Sequence, residues 1–502
     1  LNEPNFVIGL IVRKLSTLAF ARWTGSSEPF GIDKAMSLLW DFEQSYPVAQ
    51  LSLQNVPCWH ILRYGIWMKL WKQTNNSRKA MVFNTYKLGI DASQRASYKN
   101  ELGATAPNKV ARADYLVFTN LNSSDRTLME GGVYQRIVDP VIEALSSLGT
   151  VRKVIPLKTP SNLAGEPYII EPDYVVPNQD ITIGEIPSVH SEGWNFLQEV
   201  TRHFRIVKLN EQRLSELIVA YKVLEEYYAR ILRAAQPKVV FFMNLGIHMP
   251  LCEAAKKLGI RSVELQHGAQ KENTPIYTWR QVPAAGYPGL PDYFGVWGEA
   301  DARHIRDVFN GTVKPVVTGY EWLNSPLNRE TADDCVRAIR RIRDNYDTVA
   351  LYTLQNQKDL PKDILDLANR TPNTCFVIRK HPKWSNGFSQ SASTPENVVL
   401  DPALQGGSVI SLLELVDVHI TRDSTSAYEA NYLGIPTFVH SVEGYRMYDE
   451  EIQNGTVFDL TVLEKLLSSK EGLAGFLKDY KSSLAGVMVS KVSLTEVLAA
   501  IC

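Results

Sequence analysis

The sequence predicts an α/β chain in which two parallel-sheet halves face a cleft, preceded by a helical region. Three observations carry that expectation. From Arg112 onward, apolar β-branched runs alternate with helical periodicity, and the connections are short. The same alternation restarts after a break at Asn324–Thr331. Five of the ten tryptophans (Trp23, Trp40, Trp59, Trp67 and Trp71) crowd into the segment before it begins. At 502 residues the chain exceeds what one core fills, which favours several domains. The expected boundaries are 1–111 for the helical, aromatic-rich region, 112–328 for the first α/β half, and 329–502 for the second half with its C-terminal helices.

In the first region Ile61, Tyr64, Trp67, Met68 and Trp71 recur at three- and four-residue steps, as on one helix face. Two readings follow: a helical cap packing its aromatics inward, or a docking surface for membrane or partner with Arg63, Lys69 and Lys72 beside them. The polar stretch from Gln73 to Lys109 reads as a linker.

The first half opens with a strand at Asp114–Thr119, a helix over Val133–Leu148 and a strand at Val151–Leu157. A proline-rich, loop-like stretch follows, then a long helix over Glu211–Ala235. Strands at Val239–Met243 and Ser262–Gln266 flank a helix at Pro250–Leu258, and Tyr293–Val296 is a further strand. In the second half the strands are Thr348–Leu354, Thr374–Ile378, Asn397–Leu400, Val416–Thr421 and Pro436–His440. Helices fall at Pro361–Ala368, Val409–Leu415 and Ser426–Leu433, and the remainder from Leu460 to Ile501 is mostly helical. This β-α-β order implies parallel sheets with ligands at the carboxyl ends of their strands.

Bulk properties exclude several classes. A net charge of −1 provides no overall field to recruit nucleic acid. The five cysteines (58, 252, 335, 375 and 502) are scattered without C-x-x-C spacing, so neither zinc nor a disulfide framework is indicated, and a reducing compartment, the cytoplasm, is expected. The apolar run Phe6–Val12 is too short for a membrane span and carries its charges after it, unlike a signal peptide. The chain begins at Leu1, as a module of a longer polypeptide would.

Chemistry-bearing residues cluster at expected strand ends. Arg379, Lys380 and His381 close an apolar strand, where Pro382 stops the ladder and leaves the imidazole at the sheet edge. Ser424, Thr425 and Ser426 precede a helix, a place where orphan amides meet phosphate, and Glu429 falls in its first turn, within reach of a ribose diol. In the first half His267 ends a strand, with Gly268 allowing the turn after it; its options are general base, phosphate ligand or structural residue. His248 is a parallel case after the preceding strand, and Gly319 marks where the half turns into its linker. Asp125, in the loop Asn120–Arg126, could take a proton from an acceptor hydroxyl, or the loop is simply solvated. There is no G-x-x-x-x-G-K-[ST], no G-x-G-x-x-G, no G-x-S-x-G, no H-E-x-x-H and no D-x-D triplet.

The succession Glu264-Leu265-Gln266-His267-Gly268, Trp297-Gly298, Thr318-Gly319, Arg379-Lys380-His381-Pro382 and Asp417 through Pro436 resembles the GT-B glycosyltransferases of bacterial capsule and O-antigen assembly. The His-Pro pair with a Ser/Thr-rich helix start is similar to Kdo, sialic-acid and glycerol-phosphate transferases. The resemblance covers about residues 112–470. It implies a GT-B-like pair of Rossmann-type domains facing a cleft, a nucleotide-sugar donor as substrate, and an oligosaccharide or lipid-linked glycan acceptor. It implies that His381 and Ser424–Ser426 serve the donor phosphate and Glu429 the nucleotide sugar, with no cofactor and no metal. Peripheral contact with the inner face of the cell membrane or with an assembly complex fits such a role. Two other readings share this architecture: a nucleotide-sugar 2-epimerase and an inactive scaffold module.

Overall fold

The computed structural model describes residues 32–53, 56–73, 103–120, 126–129, 131–157, 167–176, 211–271, 274–325, 333–355, 360–381, 394–405, 408–484 and 486–502. The chain forms two compact units, one of residues 1–87 with 182–223 and one of 88–181 with 224–502.

In the smaller unit the helices Ile32–Ser45 and Trp59–Gln73 pack on each other. Ile61 and Trp67 are buried, as an inward-packing aromatic face requires. Arg63 is not a docking cation: its Nε lies 2.5 Å from Glu43 Oε1, and both side chains are buried. Trp59 Nε1 donates to the same carboxylate at 2.8 Å. The pair survives burial because the carboxylate meets both its opposite charge and a further donor, which offsets desolvation.

The larger unit holds two parallel sheets. The first lobe has β1 (Tyr115–Phe118), β2 (Val151–Pro156), β3 (Asp173–Val175), β4 (Val239–Phe242), β5 (Arg261–Leu265), β6 (Tyr293–Val296) and β7 (Lys314–Val317), in spatial order β3-β2-β1-β4-β5-β6-β7. The second has β8 (Thr348–Thr353), β9 (Thr374–Arg379), β10 (Val398–Val399), β11 (Val418–Thr421), β12 (Thr437–Val439) and β13 (Val457–Asp459), in order β10-β9-β8-β11-β12-β13. Both are doubly wound, with the order reversing between β1 and β4 and between β8 and β11. Two Rossmann-type sheets in one chain are the GT-B-like architecture expected. β1, β4, β8, β9 and β11 are buried along their whole length, which is why they read as continuous apolar runs rather than alternating ones.

Several elements differ from expectation. The helix expected from Val133 begins at Val138, because Gly132–Gln135 pairs antiparallel with Arg126–Met129 in a hairpin. Gly131 and Gly132 sit at φ +94° and +135° at its turn, and a Cβ on Gly132 would lie 2.3 Å from the Pro167 carbonyl oxygen. The helix expected from Pro250 starts at Leu245, with Pro250 inside its second turn, where the Gly246 carbonyl receives no backbone N–H from it. The strands β3 and β13 lie outside the expected elements, being three residues each. The last helix, Leu494–Ile501, packs on the first-lobe helix Val138–Ser146, and Arg261 Nη1 donates to the Ile501 carbonyl at 2.8 Å. On the way back, Ser490 N–H donates to the Trp297 carbonyl at 2.9 Å.

Candidate functional site

Between the carboxyl ends of the two sheets lies a cavity of about 560 Å³, within the usual range for a small-molecule site. The second lobe builds its floor. β9 delivers Arg379, Lys380 and His381 to the cavity wall. Arg379 is buried, and its Nη1 donates to the Leu404 carbonyl at 2.7 Å. Gln405 fixes the next residue: its Oε1 accepts from Lys380 N–H at 3.0 Å while its Nε2 donates to the Ile378 carbonyl at 2.7 Å. Arg379 therefore braces the neighbouring turn, whereas Lys380 and His381 are only partly buried. Pro382 lies outside the described residues.

The segment after β11 brings Ser424, Thr425 and Ser426 to the same cavity. The helix that follows, Ser426–Tyr432, has seven residues, so its dipole is weaker than the expected phosphate site assumed. Nor does Thr425 cap it; Ser424 Oγ accepts from Ser426 N–H at 3.3 Å instead. The hydroxyls belong to a buried network centred on His419. Its Nε2 lies 3.0 Å from Thr353 Oγ1 and 3.1 Å from Ser426 Oγ, and its Nδ1 lies 2.9 Å from Thr437 Oγ1. Burial pushes His419 down to about 3, so the ring is neutral. Tyr448 holds the loop from below by donating to the Ser424 carbonyl at 2.5 Å.

Glu429, one turn into the helix, is the one carboxylate among the described residues lining the cavity. Burial raises its carboxyl to about 6, and the charge of Arg136 across the cavity opposes that rise.

The first lobe supplies the opposite wall. Its hairpin presents Arg126 and the two-thirds-exposed Leu128, and Arg136 follows it. His267, just after β5, lines the cavity as well. Gln266 ties that corner together: its Oε1 accepts from Trp297 N–H at 2.6 Å and its Nε2 donates to the Gly268 carbonyl at 3.0 Å. Gly268 does not adopt a positive φ, contrary to expectation; a Cβ there would stand 3.6 Å from Thr425 Cγ2, in ordinary contact.

The lobes are joined by buried polar contacts. Tyr428 donates to Asp301 at 2.8 Å, and Lys271 pairs with Glu451. Trp297 stacks on Tyr320 with centroids 4.3 Å apart and meets Tyr428 edge-on.

Two expected cleft residues lie elsewhere. His248 is buried among Phe118, Tyr228 and Phe242, with Nδ1 3.2 Å from the Asn244 carbonyl. Its helix starts at Leu245, which turns the ring into the core rather than the cleft. Gly319, at φ +65°, lines a smaller neighbouring recess, where a Cβ would stand 2.6 Å from the Ser490 carbonyl oxygen. Asp125 lies outside the described residues. Arg136, Thr353 and His419 were missed by sequence reasoning: the first follows an unforeseen hairpin, and the others read as plain strand residues. Among the described residues no three His, Cys, Asp or Glu side chains gather as a cation site would need, and no helix is long and apolar enough to cross a membrane.

No protein-family model matches the chain, and no curated protein matches its sequence. Solved structures similar to it include a UDP-GlcNAc 2-epimerase from Neisseria meningitidis bound to UDP-GlcNAc, 14% identical, covering 77% of this chain and 98% of that one with a TM-score of 0.43. The glycotransferase of kitacinnamycin is 12% identical over 78% of this chain and 99% of its own, with a TM-score of 0.42. The wall teichoic acid polymerase TagF is 12% identical over 88% and 94%, with a TM-score of 0.40. At such scores the likeness carries no inference about ligand or reaction.

Proposed function

We propose that the chain is a metal-independent glycosyltransferase that moves a sugar from a nucleotide-sugar donor onto a surface-polysaccharide acceptor of the O-antigen or capsule class. One observation carries this reading. Lys380, His381 and the hydroxyls of Ser424–Ser426 from the second lobe share one cavity with Arg126, Arg136 and His267 from the first. A cavity with that excess of cations suits a ligand bearing phosphate, and it stands where doubly wound sheets bind nucleotides.

In this reading the donor phosphates meet Lys380, His381 and the hydroxyl floor, and Glu429 accepts from the ribose diol. The acceptor oxygen bonds to the anomeric carbon as the carbon–oxygen bond to the phosphate breaks. The electron pair leaves on the nucleotide, where the cavity's cations stabilise it. The acceptor's proton goes to a base, for which the sequence nominates His267 and Asp125. Contacts joining the lobes keep water, a competing acceptor, from the reacting carbon.

The test is incubation of the purified chain with a panel of nucleotide sugars, with and without a glycan acceptor. Acceptor-dependent release of nucleotide supports transfer. Conversion of the donor alone would replace the proposal with an epimerase, and the absence of any nucleotide binding would replace it with a scaffold.

A further inference from the structure

A backbone segment can offer a ligand only the N–H groups that its own turns leave over. Ser424, Thr425 and Ser426, after β11, all line the cavity. Ser424 N–H donates to Thr421 Oγ1 at 3.3 Å, and Ser426 N–H donates to Ser424 Oγ at 3.3 Å. Ala427 and Tyr428, next in the chain, donate to the Ser424 and Thr425 carbonyls at 3.2 and 3.0 Å. Thr425 N–H meets no acceptor among the described residues.

Where that N–H points is set by the carbonyl at the other end of its peptide bond. The Ser424–Thr425 bond is trans, so its C=O and N–H share a plane and point in opposite directions. Both lone pairs of the Ser424 carbonyl are taken: one by Ala427 N–H, the other by the Tyr448 hydroxyl at 2.5 Å. Tyr448 is fully buried and is not part of the cavity lining. Among the described residues its hydroxyl bonds Ser424 alone. The carbonyl is therefore directed into the core, and Thr425 N–H is directed the other way, to the side on which Thr425 lines the cavity.

Turning this peptide over would leave the buried Tyr448 hydroxyl without its acceptor, which folded proteins avoid. The direction does not depend on the dipole of the following helix, which has only seven residues. It depends on one side chain, 24 residues further along.

We propose that Tyr448 is a positioning residue: by fixing the Ser424–Thr425 peptide it aims Thr425 N–H at an anionic group of the cavity's ligand. That this group is a phosphate of a nucleotide donor rests on the function proposed above; the direction of the peptide does not. The cations of the cavity supply charge, whereas one fixed N–H selects where an oxygen sits. In the transfer reaction the leaving phosphate gains charge as the carbon–oxygen bond breaks, and a donor aimed in advance meets that charge without reorganising.

The experiment is ¹⁵N NMR of the full chain labelled at threonine, with the Thr425 amide assigned by loss of its signal in Thr425→Ser. CMP, CDP, UDP and inorganic pyrophosphate are titrated into the wild type and into Tyr448→Phe, which keeps the ring and removes the hydroxyl. In the wild type the Thr425 amide proton moves downfield as ligand binds. In Tyr448→Phe binding weakens about tenfold, the scale of a lost hydrogen bond to a charged group, and the Thr425 shift at saturation shrinks. A tyrosine that only stabilised the fold would leave the saturated shift at its wild-type value. A wild-type amide unmoved by bound ligand, or an affinity or a saturated shift unchanged in Tyr448→Phe, overturns the assignment; should that variant fail to fold, the wild-type amide decides alone. Pyrophosphate separates the two proposals. A Thr425 amide that answers pyrophosphate in a chain that binds no nucleotide removes the transferase reading only. Nucleotide bound without moving that amide removes this inference only, and a chain that binds none of these ligands removes both.

Discussion

Beneath the hairpin of the first lobe, polar groups are held by charge. Lys153 Nζ lies 2.6 Å from Asp139 Oδ1 with both side chains fully buried, and Asp139 Oδ2 accepts from Gln135 N–H at 2.8 Å. At the corresponding end of the second lobe they are held by neutral groups: His419 joins Thr353, Ser426 and Thr437. The two sheets share a strand order through their first six strands, yet solve the same problem differently. A hydroxyl can donate or accept as a ligand requires, so a neutral floor would adapt to the phosphate of the proposed donor while the cations stand at the rim. A buried ion pair has no such freedom, and in the first lobe it fixes the hairpin that brings Arg126 and Arg136 to the cavity.

The sharpest way to break this comparison is Lys153→Met. It leaves the Asp139 carboxylate buried without its cation, and the expected loss of unfolding free energy is ~3–5 kcal/mol. Denaturant unfolding measures it. Pairing it with Asp139→Leu should recover most of the loss; a single variant as stable as wild type would show that charge does not hold this lobe.

In the second lobe the corresponding change is His419→Leu, which takes the ring away from three hydroxyls, two of which (Thr353 and Ser426) still meet each other at 3.2 Å, and should cost about 1–3 kcal/mol. The pH dependence goes further. A folded-state value of about 3 against an ordinary 6.5 means that the unfolded chain takes up His419's proton first. Stability from this group is complete above 6.5 and declines as pH falls toward 3. His419→Gln should therefore flatten the acid slope of the unfolding free energy. An unchanged slope would mean that the ring is not held neutral.

A smaller effect is expected at Glu429, whose carboxyl is raised from 4.5 to about 6. The raised value means that the folded state favours the protonated form, so stability falls as pH rises through that window. Glu429→Gln should gain up to about 2 kcal/mol at neutral pH, a figure already net of the attraction to Arg136, and gain nothing below 4.5. Nucleotide binding by wild type should weaken as pH drops below about 6, and the variant should lose that limb. Titration calorimetry across pH checks both the sign and the window.

Much of the architecture was legible because both sheets are covered on both faces. Thr374–Arg379 and Val239–Phe242 could only read as buried strands, and the loops after them followed. The hairpin was not legible, since its strands are four residues long and read respectively as loop and as helix start. Arg136 went with it, since its place at the cavity has meaning only once Gly131 and Gly132 turn the chain. Lys380, His381, Ser424–Ser426 and Glu429 were found because each follows a strand end. The buried contact of Tyr277 with Glu264 was beyond sequence reasoning, because the two show no spacing that marks them as partners. Only the fold brings Tyr277 back beside β5.

The account stands most directly on one titration: CMP, CDP, UDP and dTDP into the wild-type chain and into His381→Ala, followed by calorimetry. It predicts that at least one of them binds the wild type at a single site. Loss of a hydrogen bond to charged phosphate, ~1.5–3 kcal/mol, should weaken that binding by at least about tenfold in His381→Ala, with the unfolding transition unmoved. Failure of every nucleotide to bind, or equal affinity in the two proteins, would contradict the assignment of this cavity to a nucleotide donor.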